Sequence, residues 1–154
     1  RLAWCYGDLG ASLTLLRAAK SVKNKSWEAY AIRLMKRAAK LGDRKNSVRD
    51  ASLCHGAVGA AHIFNRFSQL TSDPDASAFA SSQALNWYKA ALDMRAEGTG
   101  LANFISINRK PLTDSGFLTG AAGIGLGLLA AIANLEPSWD QCLLMSAPKL
   151  RGLV

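Results

Sequence analysis

One short pattern recurs three times in this chain of 154 residues and constrains most of what it can fold into. It reads Cys5-Tyr6-Gly7-Asp8-Leu9-Gly10-Ala11, then Cys54-His55-Gly56-Ala57-Val58-Gly59-Ala60, then Leu118-Thr119-Gly120-Ala121-Ala122-Gly123-Ile124. The steps between copies, 49 and 64 residues, are the length of a helical hairpin with variable connections. Small residues let the first turn of a helix approach another backbone closely, and glycine admits the unusual angles of a tight lead-in turn. Each Gly-x-x-Gly is therefore expected to open a helix, over residues 11–22, 57–70 and 121–135. These stretches are rich in Ala, Leu and Ile around much of their circumference, which predicts burial on most sides.

Two amphipathic helices are predicted between them. Trp27, Tyr30, Ala31, Leu34, Ala38 and Leu41 fall at i, i+3, i+4, i+7, i+11 and i+14, an apolar stripe with Ser26 as N-cap and Gly42 as stop. A second helix starts at Asp73-Pro74, an N-cap followed by a first-turn proline. It is expected to run to about Arg95 and to bury Ala80, Ala84, Trp87, Tyr88 and Ala91. No alternation of the strand type occurs, and only residues 101–107 suit a brief extended segment. Inner helices alternating with outer ones give an all-α, α/α arrangement, a solenoid or part of a barrel, read as one domain over residues 1–154. The Gly-x-x-Gly turns then gather at one end of the inner helices.

That gathering brings Cys5 to Cys54 and His55. Two thiols and an imidazole suit zinc and leave a fourth position open, and open positions distinguish catalytic zinc sites from structural ones. Coordination deprotonates a thiol outright at neutral pH, so an incoming substrate thiol in the fourth position would be a nucleophilic thiolate.

Ala3-Trp4-Cys5-Tyr6-Gly7, Leu53-Cys54-His55-Gly56 and Phe117-Leu118-Thr119-Gly120-Ala121-Ala122-Gly123-Ile124-Gly125-Leu126 resemble the C-terminal half of the lanthionine synthetase C (lantibiotic cyclase) family, in order as well as in kind. The resemblance spans residue 1 to about 135. It implies an α/α toroid holding zinc between Cys5, Cys54 and His55, and thioether ring formation, in which a peptide cysteine adds to dehydroalanine or dehydrobutyrine. The enolate so formed needs stabilisation and a proton. Arg1, four residues before Cys5 and matching an arginine the family places beside the metal, and Tyr6, next to a ligand, are the catalytic candidates. A frayed terminus and a packed aromatic are their alternatives. Leu9 replaces a proline common in the family's turn. The family's barrel has about twice as many hairpins and its general-acid histidine lies upstream of Arg1, so the chain is expected to be the zinc-bearing half and to expose apolar helix faces. His62, the other histidine, sits in a helix and is expected to be structural.

The partners implied are a dehydrated precursor peptide or a small thiol, with a dehydratase or the missing N-terminal half as protein partner. A non-catalytic, zinc-stabilised module that grips a peptide or glutathione-like thiol is the alternative function. Cys142, without ligand-type neighbours, is expected to be a buried or half-buried thiol. Three cysteines without dense spacing favour reduced thiols in the cytoplasm. The longest apolar run, 121–135, is 15 residues with three glycines, too short for a membrane span. Net charge is +8, and Arg33, Lys36, Arg37 and Lys40 share one helix. No aromatics interleave with them as a stacking track requires, so the expectation is a solvated outer face and no nucleic acid, with an acidic peptide as the next use. Gly123-Ile124-Gly125-Leu126-Gly127-Leu128 lacks the sixth-position glycine and preceding strand of a dinucleotide loop, and helix packing explains it. Asp114-Ser115 reads as a turn, and the connection 97–117 is long enough to border a cleft.

Overall fold

The computed structural model describes residues 2–42, 48–108 and 110–146, without the side chains of residues 41, 42 and 108. Among these described residues there are five α-helices: α1 (Asp8–Ser21), α2 (Lys25–Gly42), α3 (Ala57–Leu70), α4 (Pro74–Asp93) and α5 (Ala121–Ile132). A two-stranded ribbon, β1 (Ser106–Asn108) and β2 (Lys110–Leu112), interrupts the connection before α5, and a 3-10 turn, Ser138–Leu143, follows it. Helices α1 and α2 pack as one hairpin and α3 and α4 as another, while α1, α3 and α5 stand side by side. The chain is all-α, an arc of inner helices backed by outer ones, with one small ribbon. No helix among the described residues is long and apolar enough to cross a membrane.

Each inner helix starts at the residue after the first glycine of its repeat, so α1 begins at Asp8, three residues earlier than expected. The expected reason for that first glycine needs correcting. Gly7, Gly56 and Gly120 are N-caps with φ of −158°, −100° and −112°, angles that any residue adopts. Space decides at Gly56, where an added Cβ would meet the backbone of Ser52 and Asp50. Space decides at the second glycine of every repeat. A Cβ on Gly10, Gly59 or Gly123 would strike the carbonyl of Trp4, Leu53 or Phe117, six residues earlier.

Helix α3 is the centre of the core. Ala57, Val58, Ala60, Ala61, Ile63, Phe64 and Phe67 are all within 1% of complete burial. Helix α5 is less covered: Leu129 is 55% and Ile132 82% exposed.

The buried stripe of α2 is rotated from its predicted position. Glu28, Ala31, Met35, Ala38 and Ala39 face inward, while Trp27 and Tyr30 are 46% and 54% exposed. Alanines allow α2 to lie close against α1, and Glu28 is drawn in by Lys20 at 2.7 Å and by the Ser72 amide at 3.2 Å. The cap differs too. Asn24, not Ser26, accepts from the amides of Ser26 (3.0 Å) and Trp27 (3.1 Å). Asn24→Ala is expected to cost about 1 kcal/mol, against little for Ser26→Ala, read from urea unfolding midpoints. At α4 the expectation holds: the Asp73 carboxylate accepts from Ala76 N at 2.8 Å, and Ala80, Ala84 and Ala91 are buried. Trp87 and Tyr88 are half-buried.

Candidate metal centre

Backbone hydrogen bonds join the three lead-in turns side by side. Trp4 N donates to Cys54 O at 2.9 Å, and Cys54 N donates to Leu118 O at 2.8 Å. Within the turns the same bonds recur: Gly10 N to Ala3 O (3.2 Å), Gly59 N to Ser52 O (3.2 Å) and Gly123 N to Gly116 O (3.4 Å). Three segments far apart in sequence thus lie in register at one end of α1, α3 and α5. Cys5, Cys54 and Leu118 occupy equivalent positions, so two repeats contribute sulfur and the third an apolar side chain.

One potential ligand atom from each of Cys5, Cys54 and His55 lies within 4.8 Å of the other two, as repeat and resemblance both led one to expect. Ligands 2.0–2.3 Å from a tetrahedral zinc are about 3.3–3.8 Å apart, so a small contraction of these side chains would seat the ion. Cys54 is 9% exposed and the His55 side chain 22%. The group is therefore shielded on one side and reachable on the other. From Cys5 an open groove of about 530 Å³ runs along α1, past Gly7, Gly10, Ala11 and Thr14 to Ala18.

The other predicted site residues are placed differently. Tyr6 is 83% exposed, and among the described residues its hydroxyl has no hydrogen-bond partner. Arg1 lies outside the described residues. His62 is fully buried on α3, donating through Nε2 to Asp140 at 3.0 Å and stacked on Trp139 with ring centroids 4.8 Å apart. Burial pushes its pKa below the ordinary imidazole value, although the Asp140 carboxylate pulls the other way. It packs as expected and does not line the groove beside Cys5. Cys142, expected to be at least half-buried, is exposed, its thiol donating to Trp139 O at 3.0 Å.

Asp50 is the residue that sequence reasoning missed. It is buried, accepts from the amides of Ser52 (3.0 Å) and Ile107 (2.8 Å), and stands 4.0 Å from His55 Nε2. The repeat, followed four residues upstream of Cys54 and Leu118, would have found it. Asp114 stands at the matching place and accepts from Gly116 N (2.7 Å) and from the hydroxyl of Thr119 (2.5 Å), the counterpart of His55. Those two hydrogen bonds, Thr119's first, hold the Asp114 carboxyl below the usual carboxylate range. The second and third turns are thus each held by an aspartate beside the side chain that follows the Cys or Leu. Through Ile107, Asp50 also ties the 97–117 connection to this site, where the sequence placed it.

Compared with known protein families, the chain matches the one described as "Lanthionine synthetase C-like protein" over residues 1–144. A comparison with individually curated proteins gives no match.

Proposed function

From the membership of this chain in the lanthionine synthetase C-like family, we propose that Cys5, Cys54 and His55 hold zinc and that the site activates a peptide cysteine thiol for addition to dehydroalanine or dehydrobutyrine. The observation that carries this reading is the convergence of three soft donors from two repeats within 4.8 Å, one of which, Cys5, borders a groove. Zinc, when bound, supplies the Lewis acidity that keeps a thiol deprotonated at neutral pH. The chain's own residues do the rest. Cys5 and Cys54 present sulfur from adjoining turns fixed by the Trp4–Cys54 hydrogen bond, and Asp50 steadies the turn that carries His55. Carboxylates beside ligand histidines commonly set ring orientation in this way. The groove along α1, lined by Gly7, Gly10, Ala11, Thr14 and Ala18 together with Trp4 and Leu15, leaves room for a peptide backbone beside Cys5.

In the reaction a sulfur–carbon bond forms at the β-carbon, the π pair moves toward the carbonyl oxygen, and a proton is delivered to the α-carbon. Tyr6, adjacent to a ligand and exposed, is the proposed hydrogen-bond donor to the developing oxyanion, with Arg1 as its cationic companion. His62 is not the acid, since its ring is enclosed with Asp140. The same proposal reads residues 1–154 as one domain, the metal-bearing half of a toroid, working in the reducing cytoplasm. There it meets a dehydrated precursor peptide, with a dehydratase or a complementary half as protein partner. The rival, a zinc-stabilised module that binds a peptide or glutathione-like thiol without cyclising, draws on the burial of His62 away from the groove.

The expected result is one zinc per chain by elemental analysis, lost when Cys5 and Cys54 are both replaced by alanine. Stoichiometric zinc in that double variant overturns the assignment. Glutathione should bind with proton release, measured by calorimetry in buffers of different ionisation enthalpy, and His55→Ala should abolish it while His62→Ala spares it. Mass spectrometry of a dehydrated peptide after thiol trapping separates the two readings: ring closure supports the cyclase, and binding without closure supports the module.

A further inference from the structure

The rotation of α2 creates a surface that its sequence pattern concealed. Trp27 and Tyr30 are turned to solvent, and beyond them along the helix stand Arg33, Lys36, Arg37 and Lys40. Arg33 lies over the Tyr30 ring, 5.5 Å from its centroid, and Lys36 over the Phe79 ring of α4 at 5.9 Å. Among the described residues none of these four cations has a carboxylate partner. The single carboxylate of α2, Glu28, is buried and already held by Lys20 and Lys25. An unpaired cationic row of this kind is a surface lacking its counter-charge.

We propose that this face of α2 docks an acidic peptide segment, with an apolar or aromatic residue of that segment set against Trp27. Interfaces concentrate binding energy in Trp, Tyr and Arg, and exposed Trp27, Tyr30 and Arg33 lie within two turns. The Tyr30 face holds Arg33 in place, which reduces the side-chain freedom lost when a carboxylate binds. From Trp27 to Lys40 the helix rises about 20 Å, the span of roughly six extended residues.

The arrangement disfavours two other polyanions. A single-stranded nucleic acid needs aromatics interleaved with its phosphate contacts, whereas here the two exposed aromatics, Trp27 and Tyr30, lie at one end, and the faces of Tyr30 and of half-buried Phe79 are covered by Arg33 and Lys36. An anionic membrane needs an apolar helix face sunk among the lipid chains, and the apolar face of α2 is packed against α1. This inference is independent of the metal site.

The test is fluorescence anisotropy on the whole chain. The probes are a labelled peptide with a Glu run next to a Phe, its Gln-for-Glu counterpart, an oligothymidine, and phosphatidylserine vesicles. The Glu peptide should bind, weaken with added salt, and lose about tenfold or more in affinity on Arg33→Glu with Arg37→Glu. Trp27→Ala should also weaken it. All three positions are exposed, so folding is spared, which circular dichroism verifies. Equal binding of the Gln counterpart, or affinity unchanged by charge reversal, overturns the proposal. So does an oligothymidine or vesicle that binds more tightly than the Glu peptide and is released by the same substitutions.

Discussion

Gly59→Ala should destabilise the chain by about 3 kcal/mol or more, the upper end of what overpacking costs, while Gly125→Ala should stabilise it by roughly 0.5–1 kcal/mol. Both replace a helical glycine with the best helix former, so propensity alone predicts the same gain for both. Space decides between them. The Cβ at position 59 would collide with the Leu53 carbonyl, a backbone atom in a turn that cannot swing aside. At position 125 nothing lies within 4 Å of the new methyl. For a chain of this size the melting temperature should fall by roughly 6–12 °C in the first case and rise by about 1–4 °C in the second. The Leu53 carbonyl is followed at once by Cys54 and His55, so displacing it moves two of the three donors. Gly59→Ala should therefore also weaken zinc retention against a chelator. A melting temperature equal to that of the parent would show that the turn is looser than its hydrogen bonds indicate.

Much of the fold was legible because glycine spacing reports directly on close backbone approach. The repeat marked the start of each inner helix to within three residues, and it led to the cysteine pair and His55. What was lost on α2 was the phase of the helix. The stripe Trp27-Tyr30-Ala31-Leu34-Ala38 and the stripe Glu28-Ala31-Met35-Ala38-Ala39 share alanines, and hydrophobicity favours the first. Contact distance favours the second, because alanines let α2 approach α1 while Glu28 finds partners in Lys20 and Ser72, 8 and 44 residues away in sequence. No local pattern carries that information. Asp50 was lost for a related reason: a lone aspartate before an apolar segment reads as turn formation, and its contacts with Ile107 and His55 arise only once the repeats stack. Cys142 was misjudged on composition, since thiols are usually buried, whereas this one sits on a 3-10 turn whose buried residues are Asp140 and Leu143.

Asp140→Ala should be the most damaging single change away from the metal centre, costing about 3–5 kcal/mol, because it strands a buried cation. Asp140 is fully buried and accepts from Arg66 Nε at 2.7 Å and from His62 Nε2 at 3.0 Å. Arg66, itself 2% exposed, would keep only Gln69 and the half-exposed Glu136. The damage would spread, since the Ser138–Leu143 turn also accepts from the Trp4 indole at 2.8 Å through Leu143 O. Trp4 precedes Cys5, so the anchor of the C-terminal turn and the metal centre share a strut.

The same cluster sets a pH dependence. With Nε2–H donated to Asp140, His62 Nδ1 is bare and buried, and burial holds its pKa below 6.5 despite the carboxylate. The unfolded chain thus takes up a proton at higher pH than the folded one. The neutral ring's contribution to stability is complete above pH 6.5 and is lost as pH falls below it, by at most about 1.4 kcal/mol per unit. His62→Gln should flatten the unfolding free energy between pH 6.5 and 5 in urea titrations, whereas a slope unchanged from the parent would assign the acid sensitivity to other groups.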